Sequence, residues 1–502
     1  MDLFSHLATG FGVALTLINV VYALIGVLVG TLIGVLPGIG PVATIAMLLP
    51  TTYALQPVSA LIMLAGIYYG AQYGGSTTSI LLNMPGETSS AVTCLDGHQM
   101  ALKGQAGAAL AIAAIGSFFA GCIATVFVAS VAVPLSELAL KFGPAEYCSL
   151  MILGLIGAVV LAHGSLLKAI AMIVLGLLLG IVGTDVNSGT ARFAFGIPEM
   201  TDGIGIVSVA MGLFGFAEII TNLESTEKRE LVTSKVSGLW LTKQQFREAW
   251  PAVLRGTGLG SILGLLPGGG AMLASFASYA FEKKVAKDPS RFGKGAIQGV
   301  AGPESANNAG AQTSFIPLLT LGIPENAVMA LMVGAMTIHN IQPGPQVMTS
   351  NPTLFWGLIT SMWVGNLMLV VLNLPLIGMW VKLLQVPYRV LYPAILLFCS
   401  IGVYTINNAS FDVMQTAVFG ALGVLFVKLE CEPAPLLLGF VLGPMMEENL
   451  RRALLLSRGD PTVFLTRPLS LGMLLAAVAL LVLIVVPNFR KKREEVFEES
   501  EA

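Results

Sequence analysis

Charge is what this sequence has least of. Only 11% of its residues are Asp, Glu, Lys or Arg, and the first Lys or Arg is Lys103, preceded only by the acids Asp2, Glu87 and Asp96. That leaves no basic n-region, so a cleaved signal peptide is not expected at the start. The net charge of -2, from 26 basic and 28 acidic residues, provides no field for nucleic acid, and no nucleic-acid partner is expected. Cysteine is sparse as well: Cys94, Cys122, Cys148, Cys399 and Cys431 lie far apart, mostly in or beside apolar runs. Without paired ligand spacing they read as small hydrophobes, and no transition-metal site is expected. Walker, HExxH and GxSxG sequences are all missing, which argues against ATP coupling within the chain, against an enzyme, and against a bound cofactor.

Apolar sequence is abundant. Hydrophobic residues make up 55% of the chain and the mean hydropathy is +0.83, which requires lipid as the solvent. Long apolar runs such as Val13 to Leu36, Ala108 to Val133, Leu354 to Leu384 and Leu469 to Val486 alternate with runs shorter than the roughly 20 residues of a full crossing. The short runs read as half-helices or hairpin arms. One polar segment, Glu224 to Trp250, interrupts the pattern and carries Lys228, Arg229, Lys235, Lys243 and Arg247. Together with the tail Arg490 to Arg493 it belongs in the cytoplasm by the positive-inside rule. The cluster Arg451, Arg452, Arg458 and Arg467 stands one span before that tail and conflicts with the rule. Glu447 and Glu448 precede Arg451 and Arg452 by four residues, the spacing of ion pairs on one helical face.

A motif is used twice. GVLPGIG at Gly34 to Gly40 returns as GLLPGGG at Gly264 to Gly270, each time between two apolar runs. Pro and Gly therefore break a helix at membrane depth, where irregular backbone survives only against protein or a water-filled cavity. The copies continue downstream: Gly75-Ser-Thr-Thr-Ser79 precedes Asn83-Met-Pro-Gly-Glu87, and Gly310-Ala-Gln-Thr-Ser314 precedes Leu321-Gly-Ile-Pro-Glu325. This predicts a first transmembrane repeat at 1–222, a cytoplasmic connector at 223–250, a second repeat at 251–488 and a cytoplasmic tail at 489–502. Basic residues Lys283 to Lys294 follow the second break, so residues 251–282 are expected either to enter and leave on one side as a re-entrant hairpin or to make one tilted, kinked crossing. Paired breaks in matching places of two halves point to a transporter's binding site.

Broken helices expose amides that favour carboxylates and carbonyls that favour Na⁺. Candidate substrate ligands are Gly38, Gly40, Gly268 and Gly270, for close backbone approach, with Ser76, Thr77, Thr78, Ser79, Asn83, Thr313 and Ser314 as side-chain donors and acceptors. Small residues and hydroxyls also line ordinary helix contacts in membranes, so a packing role stands beside the binding role. Glu87, Glu325, Asn307 and Asn308 are candidates for coupling to a cation, Na⁺ or H⁺. Glu87 and Glu325 are chosen because both follow the motif proline.

The stretches GTLIGVLPGIGP (Gly30 to Pro41), YGGSTTSILLNMPGE (Tyr73 to Glu87), GLLPGGGAMLASFASYAFEKK (Gly264 to Lys284) and FIPLLTLGIPENAVMALMVGAMTIHNIQPGP (Phe315 to Pro345) resemble the large membrane subunit of the tripartite tricarboxylate transporters. The resemblance spans both halves. It implies an all-α polytopic protein of about 12 membrane segments, with two inverted repeats, broken helices or re-entrant hairpins, and an elevator-like motion. It also implies a multi-pass permease of the bacterial inner membrane that imports small carboxylates such as citrate by secondary transport, often with Na⁺. The implied partners are a small membrane subunit of about four spans and a periplasmic solute-binding protein. Glu87 and Glu325-Asn326 depart from the small residues that often follow the family's proline. A passive channel or a structural membrane subunit is the alternative.

Overall fold

A computed structural model describes residues 3–36, 40–162, 165–185, 188–224, 236, 238–266, 270–384 and 388–485. The described chain is helical apart from one two-stranded hairpin, β1 (Gly183–Thr184) against β2 (Ala191–Arg192). The first half carries α1 (Leu3–Ala14), α2 (Leu17–Val35), α3 (Pro41–Leu48), α4 (Pro57–Leu82), α5 (Ala106–Ala139), α6 (Pro144–Leu161), α7 (Leu166–Gly180) and α8 (Ala217–Glu224). The second half carries α9 (Lys243–Leu263), α10 (Gly270–Val285), α11 (Gln298–Thr313), α12 (Ala327–Ile338), α13 (Pro352–Asn373), α14 (Tyr388–Asn407), α15 (Ser410–Lys428), α16 (Pro433–Leu456) and α17 (Pro468–Val485). Short helical turns fill the gaps. Four helices (α2, α5, α13 and α15) have the length and hydropathy to cross a membrane, and seven shorter apolar helices accompany them. The protein is thus an all-α assembly of apolar helices.

The repeated motif marks a repeated packing unit. In α2, Gly26, Gly30 and Gly34 press on the α4 backbone, where an added Cβ would collide with the carbonyls of Met63, Ile67 and Ala71. In α9, Gly256, Gly260 and Gly264 press on Gly302, Ala306 and Gly310 of α11 in the same way. Spacing of four residues puts each trio on one face, so two helix axes approach closely along a small-residue seam. Both seams end where the helix breaks. There Thr78 Oγ1 lies within reach of the last α2 carbonyls, 3.1 Å from Gly34 O and 3.0 Å from Val35 O. Thr313 Oγ1 reaches α9 only at Gly260 O, 3.5 Å away, a carbonyl that already accepts from Gly264 N. At the first break, then, a hydroxyl satisfies carbonyls that a broken helix leaves without partners.

The two breaks continue differently. Arg255 in α9 forms a bidentate pair with Glu282 in α10, at 2.7 and 2.5 Å, so the outer ends of the two arms meet. Residues 251–282 thus form a helical hairpin whose two arms pack together. Its first arm starts earlier than the apolar pattern suggested, at Lys243, because Thr242 caps the helix by accepting from Gln245 N at 3.2 Å. After the first break α3 instead packs against α12 and the π-helical turn Met211–Phe216.

Across the centre the halves interlock. Helix α5 of the first half packs on α11, and α13 of the second half packs on α4 and α2. Helices α4 and α11 are buried almost throughout, so they form the middle of the molecule. Contacts run in opposite senses along them: Tyr68 meets Asn326, beyond the end of α11, whereas Ser76 meets Glu304, near its start. Asp96 joins the halves again. Its Oδ1 accepts from Gly295 N and Ala296 N, both at 2.7 Å, and Oδ2 from the Tyr279 hydroxyl at 3.1 Å, capping the approach to α11. A separate set of helices, α6, α7, α16 and α17, packs mainly within itself.

Three of the four arginines in the conflicting cluster form ion pairs. Arg451 and Arg452 bind Glu447 and Glu448 at 2.7 and 2.6 Å, as their spacing predicts. Arg451 also reaches Asp185 at 3.1 Å, Arg192 reaches Glu447 at 2.7 Å, and Arg467 reaches Glu146 at 2.9 Å. These pairs fasten the β hairpin and α6 to α16 and to the residues leading into α17.

Candidate substrate site at the two helix breaks

A cavity of about 520 Å³ lies between the two broken helices. From the first half it is lined by Gly40 to Val42 at the start of α3, by Tyr68 and Gln72 of α4, by Pro85 to Ser89, and by Leu213 to Glu218 in part. From the second half it takes Ala271 and Met272 at the start of α10, Asn326 to Val328 at the start of α12, and Val427 with Glu432 to Ala434. Three of these residues are acids, Glu87, Glu218 and Glu432, and no described Lys or Arg lines the cavity. A larger cavity of about 890 Å³ around Ile338 to Gln346 and α16 does not bring the two breaks together.

The two proline motifs shape the wall. Glu87 has an extended backbone and caps the turn Thr88–Ser90, its N–H donating to Ser90 Oγ at 3.4 Å. Its carboxyl accepts from the Ser89 hydroxyl and from Asn307 Nδ2, the latter at 3.3 Å. The corresponding cap in the second half is Asn326, whose Oδ1 accepts from Met329 N at 2.9 Å. The structural counterpart of Glu87 is therefore Asn326, and Glu325 matches Gly86. This corrects the sequence reading that paired Glu87 with Glu325: one follows its proline by two residues, the other by one. Glu325 is fully buried, with Oε2 accepting from Asn326 Nδ2 at 3.0 Å and Oε1 without a partner. Gln72 completes the polar wall, its Oε1 lying 2.9 Å from the Ser89 hydroxyl oxygen.

Of the candidates named from sequence, Gly40 and Glu87 line the cavity and Asn307 reaches it through Glu87. Gly38 and Gly268 lie outside the described residues. Gly40 has open space around it, its nearest prospective Cβ contact being Glu218 Oε2 at 3.8 Å. Gly270 is the tighter position: φ is 29°, and a Cβ would collide with the Glu325 carboxyl. The first hydroxyl cluster faces neighbouring segments, Ser76 donating to Glu304 Oε2 at 2.5 Å and Ser79 to Ser90 O at 3.0 Å, whereas Ser314 donates back to Gly310 O of its own helix at 2.8 Å. Thr77 is buried and outside the lining, and Asn83 is the left-handed cap that ends α4, at φ 57°. Thr78 holds the first break, and Thr313 faces Gly260 O of α9. Asn308 Nδ2 is committed to Ser117 Oγ at 2.7 Å and Glu304 O at 3.1 Å. These side chains build the frame of the site and stand outside its surface.

Sequence reasoning did not single out Glu218, Tyr68, Gln72, Ser89 or Glu432. Glu218 is visible in the sequence as the one acid within the apolar run Gly203 to Ile220, an ionisable residue passed over in favour of Glu87 and Glu325 because no motif marks it. Buried Glu304 is a second such group, held by Ser76 and by the Thr93 hydroxyl. Among the described residues no group of three or more His, Cys, Asp or Glu could hold a metal ion.

The chain is 61% identical over 501 residues to an uncharacterized 52.8 kDa protein from the TAR-I ttuC' 3' region of Agrobacterium vitis, covering 100% of both chains. It is 62% identical over 242 residues to a protein from the TAR-II ttuC' 3' region of the same organism, covering 48% of this chain and 100% of that one. No solved structure matches it. Residues 20–438, which contain both breaks and every residue lining the cavity, match a family of transporter components: the chain belongs to the tripartite tricarboxylate transporter TctA family.

Proposed function

We propose that this chain is the permease subunit of a bacterial inner-membrane uptake system that imports a small di- or tricarboxylate with a cation gradient. A periplasmic solute-binding protein delivers the solute, and a small membrane subunit of about four spans completes the assembly. The observation that carries the reading is the cavity between the two breaks. Two helix N-termini supply backbone amides for carboxylates, in a space that offers acids and no fixed positive side chain. An anionic solute entering such a space needs accompanying cations, because unpaired charge at membrane depth is costly. Glu87, held by Ser89 and Asn307, is the proposed cation ligand, for Na⁺ or H⁺.

The matched glycine seams and the antiparallel run of α4 against α11 support two inverted repeats. An elevator motion is the proposed mode of access.

Uptake of labelled citrate and other carboxylates into proteoliposomes tests the function, with and without a Na⁺ gradient and both partner subunits. Saturable, gradient-dependent uptake that requires the binding protein is expected. Non-saturable flux without either would make the protein a channel, and absence of flux for every carboxylate would sink the proposal. Within that assay Glu87→Gln is expected to raise the cation concentration needed for half-maximal uptake. An unchanged cation dependence would remove Glu87 from coupling.

A further inference from the structure

Both helix N-termini at the cavity already face a carboxyl of this chain. At the start of α3, Gly40 N donates to Glu218 Oε2 across 3.4 Å, and both residues line the cavity. At the start of α10, Gly270 lies against the Glu325 carboxyl so closely that it has no room for a Cβ. Glu325 is fully buried, its Oε1 has no partner, and its neighbour Asn326 and Gly270's neighbour Ala271 line the same cavity. The two acids come from unrelated sequence contexts, one inside an apolar helix and one after the motif proline. Two different routes therefore bring a carboxyl to equivalent ends of the two broken helices.

A helix N-terminus carries about half a positive charge and attracts carboxylates within its first turn. The contact between Gly40 and Glu218 is long for a charge-assisted bond, which is typically about 2.7–2.9 Å. Glu218 is only half-buried and sits on the cavity wall, so it has space to leave. We propose that Glu218 and Glu325 are tethered stand-ins for the solute's own carboxylates. Glu218 holds the α3 N-terminus and Glu325 lies against the first residue of α10 while the solute is absent, and both give way when it binds. The inference rests on the carboxylate transport proposed above and deepens it: solute affinity is set by competition between free and tethered carboxylates. Glu218 is the readily exchanged member, and Glu325 is the confined one.

The test measures KM for labelled citrate in proteoliposomes containing wild-type, Glu218→Gln or Glu218→Ala protein, with thermal unfolding as the control for folding. Gln preserves the shape and one acceptor oxygen but removes the competing charge. KM is expected to fall about tenfold, the effect of a charge at a helix N-terminus with partial burial. In the Ala variant the vacated space admits a small anion, so acetate is expected to inhibit citrate uptake more strongly than it inhibits wild type. Glu325→Gln should lower KM in the same direction.

Saturable wild-type uptake with an unchanged KM in both Glu218 variants would overturn the stand-in role while leaving carboxylate transport intact. A raised citrate KM together with a raised cation requirement would also overturn it, making Glu218 a cation ligand. Wild-type protein without saturable uptake of any carboxylate would instead defeat the underlying function. If Glu218→Gln does not fold, the Ala variant and its acetate sensitivity decide the question.

Discussion

At Gly30 and Gly260 a neighbouring backbone stands where a side chain would begin. A methyl group at either position would meet the carbonyl of Ile67 or Ala306, atoms that cannot rotate away. Gly30→Ala and Gly260→Ala are therefore expected to destabilise by about 1–3 kcal/mol through overpacking. Gly258, two residues from Gly260 on the same helix, has nothing within 4 Å of its prospective Cβ. There the alanine should be neutral or stabilising by up to about 1 kcal/mol, because only the glycine's helix penalty is removed. Thermal unfolding in detergent compares the three, and equal losses at Gly258 and Gly260 would contradict the seam. At this scale the sequence was partly legible. The motif beginning at Gly34 and Gly264 was read as a repeat, whereas the glycines leading into it, Gly26 and Gly30, Gly256 and Gly260, gained their meaning only from the helix that each one meets. The destination of each hydroxyl could not be read, because Thr78 facing the Gly34 carbonyl and Thr78 facing a cavity have the same neighbours in sequence.

Helix boundaries and caps show which elements are held locally and which are held across the molecule. Helix α9 announces itself through Thr242 and Gln245, a capping pair three residues apart, although its first turns lie in a polar segment. Helix α11 has no such local signal, and its approach is capped by Asp96, roughly two hundred residues away in the chain, through Gly295 N and Ala296 N. Two amides and the Tyr279 hydroxyl depend on one carboxyl, which is fully buried. Asp96→Ala is expected to cost about 2–3 kcal/mol, more than an exposed cap, since the amides are left unsatisfied inside the protein. Asp96→Asn retains one acceptor oxygen and should cost less. Chemical unfolding would order the two variants, and an Ala variant as stable as wild type would mean that the cap is redundant. This long-range cap explains why the sequence displayed Asp96 as an ionisable residue without displaying its function. The hairpin at 251–282 was legible from flanking charge, whereas the asymmetric course of α3 was not, since its packing partners α12 and Met211–Phe216 belong to distant segments.

On the scale of the whole molecule, the interlocking of the halves constrains how the cavity could reach the two sides of the membrane. Rocking one half against the other would separate Ser76 from Glu304, Glu87 from Asn307, Ser117 from Asn308 and Asp96 from Gly295. Glu304 is fully buried, so such an opening would strip a carboxyl of its donors at membrane depth. Moving α2, α4, α5, α9, α10 and α11 together, with residues 83–105 and 293–297, against the remaining helices leaves these contacts and both glycine seams intact, which is the elevator mode proposed above. A cross-link between halves separates the two motions. Ala120 of α5 and Ala309 of α11 share a small buried cluster with Ala124, close enough for cysteines to be introduced at both positions. In a chain whose five native cysteines have been replaced, oxidation of A120C/A309C is expected to leave carboxylate uptake near that of the reduced protein. Uptake lost on oxidation and restored by reductant would show that α5 and α11 separate during transport, and the halves would then rock apart despite the buried contacts between them.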